Sequence, residues 1–333
     1  MQHVSRIAAT AIAAFGVVAA TAASAADKVT LQLKWVTQGQ FAGSYVAQDK
    51  GFSKDAGLDV TIKPGGPDSA PEQVIAAGGA DVIVDWMPAA LATREKGEPL
   101  VNIAQIFQKS AQMTTCRKDT GIIKPADFKG KTIGVWFGGN EYPFMTWMNK
   151  LGYSYTGAKP DVILLKQGFN VDPLLQKQAD CIATMVYNEY WQIIESGQLK
   201  ADDLVTFKWQ DQGVGMLEDG LYTLEKNLRD PKEVDKLARF VRASAKGWDY
   251  AAAHQDEAVD IVLKNDTTGA QTRQHQTTQV QEIAKLLGGA KGTGYLEPAD
   301  YERTVKILTE NKVLTKEPKG AWTHKVYDAS AKP

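Results

Sequence analysis

Strand-like and helix-like patterns alternate along the chain from Val29 onward, and their order sets the architecture. Apolar and polar side chains alternate over Thr30 to Trp35, the period of a half-buried strand. Thr37 to Gln40 break that pattern with polar side chains and a glycine. Phe41, Tyr45 and the Val46-Ala47 pair then recur at helical spacing up to Gly51. Leu58 to Ile62 reads as the next strand, and Ser69-Ala70-Pro71-Glu72 as a capping box that opens a helix over Glu72 to Ala77. Strand Ala80 to Val84 runs into Asp85-Trp86-Met87-Pro88, another strand-to-helix turn, and Leu100 to Phe107 forms a further strand. This alternation predicts an α/β fold whose largely parallel sheet is covered by helices on both faces.

Near Met113 to Arg117 the chain leaves this first lobe, and Lys131 to Trp136 starts a second βα series. It continues through the Gly138-Gly139-Asn140 loop and a helix over Glu141 to Leu151. Strands at Val162 to Leu165 and Asp180 to Val186 follow, with helices at Asp172 to Gln178 and Glu189 to Glu195. Val205 to Trp209 and Gly213 to Thr223 read as strands returning to the first lobe. Asp230-Pro231-Lys232-Glu233 is a second capping box, heading a long helix through about His254, and the rest is helical. The expected organisation is a two-lobe clamshell hinged on two crossing strands. Its first lobe takes residues 27–115 and 213–333, and its second lobe residues 116–212.

Residues 1–26 stand apart. An n-region with Arg6, an apolar run from Ile7 to about Ala20 and the small residues Ala23-Ser24-Ala25 have the form of a cleavable secretory signal. The expected location of the mature chain is therefore the periplasm. Charge is balanced, with 38 basic and 39 acidic side chains and no basic run, which argues against nucleic acid as a partner. In an oxidising compartment Cys116 and Cys181 could pair, but both fall in expected strands and read first as small buried hydrophobes, with no metal-site spacing around them. There is no G-x-S-x-G, H-E-x-x-H or phosphate-binding loop, and His3, His254, His275 and His324 fall in the signal segment or the helical tail, away from every expected sheet mouth. No catalytic residue, metal or cofactor is expected, and the chain reads as a monomer that is not an enzyme.

The turns at the sheet mouths instead gather aromatics, amides and acids. The first lobe contributes Trp35 and Gln38, then Asp85 and Trp86. The second contributes Trp136, Asn140, Glu141 and Tyr142, then Tyr187, Asn188, Glu189 and Trp191. Flat aromatic walls hold a planar ligand, and a few amides and carboxylates satisfy its ring nitrogens and exocyclic amines. A planar, neutral or cationic nitrogen heterocycle fits this set. A sulfonate, nitrate or phosphate calls for donors without competing acids. Carboxylates crowd three of the four junctions and no Arg is near, although Gly138-Gly139-Asn140 keeps an anion cradle open.

Three runs, LKWVTQGQFAGSYVAQDKGFSKDAGLDV, PGGPDSAPEQVIAAGGADVIVDW and KPADFKGKTIGVW, resemble the NMT1/THI5-like group of periplasmic substrate-binding proteins of ABC importers, and the similarity spans essentially the whole mature chain. The resemblance implies a class II clamshell, a small-molecule ligand and an inner-membrane ABC permease as partner. LKWVTQGQFAG and ADCIATMVYNEYWQIIESG look closest to the binders of thiamin pyrimidine precursors and of riboflavin, while other members of the group serve sulfonates, taurine or nitrate. By position this implies that Trp35 stacks on the ligand ring and that Tyr187 and Glu189 close on it from the second lobe. Where the pyrimidine binders carry an Asn and a His in the first turn, this chain has Gln38 and Phe41. The superfamily also includes a fungal-type enzyme that makes the thiamin pyrimidine from its own His and pyridoxal phosphate. The Lys and His it uses align with Asp85 and Ala89, and its Cys-rich iron motif has no counterpart, so the resemblance implies binding rather than synthesis.

Overall fold

The computed structural model describes residues 25–331, so the expected signal segment lies almost wholly outside the described residues. Among the described residues ten strands form two sheets: β1 (Asp27–Gln32), β2 (Leu58–Lys63), β3 (Val82–Asp85), β4 (Leu100–Gln105), β5 (Gln112–Arg117), β6 (Thr132–Val135), β7 (Ile163–Lys166), β8 (Cys181–Met185), β9 (Leu204–Lys208) and β10 (Gly220–Leu224). The first sheet has the order β2-β1-β3-β10-β4 and the second β7-β6-β8-β5-β9. β1 runs parallel to β2 and β3, as β6 does to β7 and β8. In each sheet one strand next to a crossing is inserted antiparallel: β10 between β3 and β4, β5 between β8 and β9. The two lobes thus repeat one topology, and the carboxyl ends of their parallel strands carry the turns singled out above.

β5 belongs wholly to the second sheet, so the first crossing occupies residues 106–111, ahead of the expected boundary after residue 115. The return crossing is the stretch 209–219. Glu218 ties the two together: its carboxylate accepts from the backbone N–H of Ala111 at 2.8 Å and from the Ser110 hydroxyl at 2.7 Å. The strand expected from Gly213 is shorter, since only Gly220–Leu224 pairs in the sheet. Val214, Met216 and Leu217 are buried in the crossing, which is why an irregular stretch carries a strand-like apolar pattern.

Local signals are realised unevenly. Asp230 caps the Pro231–Ala253 helix by accepting from the Lys232 N–H. Ser69 caps nothing: the Pro71–Ala76 helix starts after Ala70, with Pro71 supplying the preset φ instead. The cysteine reading is corrected, because Cys116 and Cys181 form a disulfide. They lie directly opposite in the antiparallel β5–β8 pair, a register that no local pattern reveals. The bond closes a loop of 65 residues and stabilises the fold by about 2 to 4 kcal/mol, chiefly by restricting the unfolded chain.

Candidate functional site

β1 does not end the first strand-like run cleanly. Leu33 still bonds to Lys63 of the neighbouring strand, and the chain then turns so that Trp35 stands at the mouth of the sheet. At the end of β3, Trp86 takes an extended conformation before the Met87–Glu95 helix, with Pro88 in the first turn. In the second lobe Gly138 and Gly139 both have positive φ (83° and 97°) and swing the chain back after β6. A Cβ on Gly139 would lie 2.6 Å from the Ala89 Cβ of the first lobe, so only glycine permits the two lobes to approach this closely here. Asn188 precedes the Glu189–Glu195 helix and sits between β8 and that helix's first turn.

These turns converge on one cavity between the lobes, whose empty space of about 320 Å³ includes space open to solvent. Of the expected residues, Trp35, Gln38, Trp86, Trp136, Asn140, Tyr187, Asn188 and Glu189 line it. Trp136, from the second lobe, meets both Trp35 and Trp86 edge to face, each with ring centroids 6.3 Å apart. The three indoles form a corner rather than two parallel plates. The Trp136 N–H donates to the Gly168 carbonyl at 2.9 Å, which fixes its ring. The Trp86 N–H donates to Asp219 at 2.6 Å.

Four expected residues are placed elsewhere: Asp85, Glu141, Tyr142 and Trp191, whose ring N–H donates to the Val186 carbonyl at 2.9 Å. Asp85 is wholly buried beneath the cavity floor, where it accepts from Lys34 at 2.6 Å and from the Trp86 backbone N–H at 2.8 Å. Glu141 folds back to accept from the Gly139 N–H at 2.8 Å and faces a separate groove beside Glu72 and Tyr142, because the two glycines turn it away from the cavity. Two lining residues, Lys34 and Met185, went unread in the sequence, and Gln40 was read only as part of the polar turn. Lys34 and Gln40 adjoin residues that were singled out. Lys34 falls on the polar side of the alternating run, where solvent was the natural expectation. The histidine reading is also corrected: His275 lines a neighbouring groove and meets the turn after β8, its Nε2 lying 2.7 Å from Asn188 Oδ1.

The polar groups divide into satisfied and unsatisfied. Gln38 donates to Gln40 Oε1 at 2.7 Å, and Gln40 donates to Asp219 at 2.8 Å. Glu189 accepts from the Met185 N–H at 2.9 Å and from the Asn188 amide at 2.7 Å. The Tyr187 hydroxyl and Asn140 Oδ1, by contrast, are buried with no partner in the protein. Such groups are costly unless something else bonds to them.

Burial dominates the titration of the site. It pushes Glu189 up to about 7, against the pull of the Met185 N–H, its own backbone N–H and the Asn188 amide. It pushes Asp219 up to about 6, against the bonds from Gln40 and Trp86. Burial also raises Asp85, with Glu72 adding to the shift and Lys34 opposing it. For Lys34, burial pulls the ammonium down, but Asp85, Glu72 and Asp219 outweigh it and leave it above its ordinary value. Among the described residues Lys34 is the one cationic side chain on the cavity lining, and its charge is committed to Asp85. Among the described residues no group of three or more His, Cys, Asp or Glu is placed to hold a metal ion.

A formylaminopyrimidine-binding protein of Halalkalibacterium halodurans is 26% identical over 247 residues, covering 72% of this chain and 71% of the relative. A 4-amino-5-hydroxymethyl-2-methylpyrimidine phosphate synthase of Saccharomyces cerevisiae is 26% identical over 241 residues, 68% of each chain. Among solved structures, the ligand-binding component of an ABC-type import system from Staphylococcus aureus superposes with a TM-score of 0.66 at 11% identity, covering 92% of this chain and all of that one. The fold is the two-lobe clamshell of periplasmic binding proteins. The family model described as NMT1/THI5 like matches residues 38–258, and the chain belongs to that family.

Proposed function

We propose that this chain is the periplasmic solute-binding protein of an ABC importer, and that it closes its lobes on a planar nitrogen heterocycle of the hydroxymethylpyrimidine type for delivery to an inner-membrane permease. One observation carries the reading. The aromatic-lined cavity presents a carboxylate, Glu189, together with two buried and unpartnered polar atoms, Asn140 Oδ1 and the Tyr187 hydroxyl. Acceptors predominate in that set. An exocyclic amine donates to Glu189 and Asn140 Oδ1, and the Tyr187 hydroxyl serves a ring nitrogen. Trp35, Trp86 and Trp136 supply the apolar faces for the ring. The relative that binds formylaminopyrimidine supports the same ligand class.

A sulfonate fits less well. Its charge needs free donors, whereas the lining cation is already bonded to Asp85 and a carboxylate stands in the cavity. The synthase relative raises an enzymatic alternative. We read the chain as a binder, since Asp85 and Ala89 occupy the positions aligned with that enzyme's Lys and His, the first tied to Lys34 and the second packed against Gly139.

Thermal-shift screening of the mature chain tests the proposal. Hydroxymethylpyrimidine or its formylamino analogue is expected to raise the melting temperature, since ligand at a hundred times its Kd stabilises the folded state by about 2.7 kcal/mol. No shift with these, thiamin or riboflavin, alongside a clear shift with taurine, overturns it.

A further inference from the structure

The Arg273–Ala284 helix packs on the first lobe through the apolar Val280 and Ile283, yet it also buries three polar side chains: His275, Gln276 and Gln279 are 6%, 0% and 0% exposed. Gln276 Oε1 accepts from the Gly39 N–H at 2.6 Å, and Gln279 Oε1 accepts from the Gln40 N–H at 3.2 Å. Both bonds hold the first-lobe turn that carries Gln38. A Cβ on Gly39 would lie 2.9 Å from Gln279 Oε1, so the glycine allows this close approach. The same Gln279 side chain turns its amide nitrogen the other way, donating to Asn188 Oδ1 of the second lobe at 2.9 Å. His275 reinforces that contact: Nε2 lies 2.7 Å from Asn188 Oδ1 and Nδ1 lies 2.8 Å from Glu195 Oε2. Asn188, its oxygen held in this way, aims its amide nitrogen at Glu189 Oε1, 2.7 Å away.

We propose that this helix is the interlobe latch, with Gln279 and His275 as positioning residues that fix the Asn188 amide and, through it, hold Glu189 as an acceptor toward the cavity. Gln279 commits its oxygen to one lobe and its nitrogen to the other, so its bonds as a set exist only when the lobes are closed. Gln276, one residue along from His275, bonds within the first lobe and Gln271 alone, and provides an internal control. The latch acts on every ligand, because apparent affinity scales with the closed fraction. The Asn188 orientation acts selectively, on ligands that donate to Glu189. This second part rests on the proposed heterocycle ligand; the first does not.

The test compares Gln279→Met, Gln279→Glu, His275→Ala and Gln276→Met with the wild type. Small-angle scattering without ligand reads the closed fraction, and hydroxymethylpyrimidine binding kinetics read the site. Gln279→Met is expected to give a larger radius of gyration than wild type and an off-rate about tenfold faster, with the on-rate within about threefold. His275→Ala moves both readouts in the same direction by less, and stands in should Gln279→Met fail to fold. Gln279→Glu keeps the acceptor for Gln40 but sets a carboxylate oxygen against Asn188 Oδ1. It is expected to weaken hydroxymethylpyrimidine at least tenfold. Unchanged scattering and off-rate in Gln279→Met and His275→Ala overturn the latch, as does a Gln276→Met protein that opens equally. A wild type that does not bind hydroxymethylpyrimidine tells against the proposed ligand, while the ligand-free scattering still decides the latch.

Discussion

Replacing Lys34 by methionine is expected to lower the stability of the folded chain by about 3 to 5 kcal/mol, the cost of leaving a buried charge without its partner. Lys34 and Asp85 are both almost fully buried and bond at 2.6 Å. Asp85 Oδ2 is buried with no partner, and without Lys34 the other oxygen, Oδ1, keeps only the Trp86 N–H. Two accompanying results follow from the same geometry. Lys34→Met/Asp85→Leu should recover most of the loss, because apolar replacement of a whole buried pair is close to neutral. The single variant should also suffer less at pH 5 than at pH 8. Burial and Glu72 hold Asp85 above its ordinary value, so acid neutralises it readily in the folded state. Denaturant unfolding reads all three. A Lys34→Met midpoint equal to wild type would show that the pair carries no strain of charge burial.

The second large effect concerns Glu189. Glu189→Ala is expected to weaken an amine-bearing heterocycle by about 2 to 3 kcal/mol, on the order of 30- to 150-fold, the usual worth of a hydrogen bond to a buried charged group. The pH profile separates this from a packing loss. With Glu189 at about 7, the carboxylate is ionised above that value and takes up a proton below it, so affinity should fall as pH drops from about 8 to about 5. Ligand-free stability runs the opposite way. A carboxyl whose folded value lies above its unfolded one gives its full stabilisation below the unfolded value, near 4.5, and loses it as pH rises through 7. Asp219, at about 6, and Glu218, at about 8, slope in the same sense. Glu189→Gln should flatten the affinity profile, and an unchanged profile in that variant would remove Glu189 from the ligand contacts.

Much of the site was legible because βα turns announce themselves: an alternating or apolar run, then an aromatic and a polar residue, then helical spacing. Trp35, Trp86, Trp136 and Tyr187 were found in this way, and all four line the cavity. What stayed hidden depends on which faces are covered. Lys34 shares the polar side of its run with Gln32, yet both are buried, Gln32 donating to the Lys63 and Pro64 carbonyls and Lys34 to Asp85. His275 and Gln279 sit in a segment, RQHQTTQVQEIA, polar enough to read as a solvated helix; the first-lobe Gly39-Gln40 turn and the second-lobe Asn188 turn take up those side chains. The same limit applies to Cys116 and Cys181, whose pairing is a property of the β5–β8 register. Glu141 shows the converse: the right residue type at the right turn, redirected by two positive-φ glycines. In the Gln38 to Phe41 turn, the Gly39 and Gln40 N–H groups are held by Gln276 and Gln279 of the Arg273–Ala284 helix.

The central claim, that the cavity under Trp35, Trp86 and Trp136 takes a flat nitrogen heterocycle, is tested most directly by calorimetric titration of the mature chain with hydroxymethylpyrimidine and, in parallel, taurine. The account predicts one saturable site per chain for the heterocycle, with Kd of about 1 μM or tighter, and no saturable heat with taurine. Saturable binding of taurine with none of the heterocycle would contradict it.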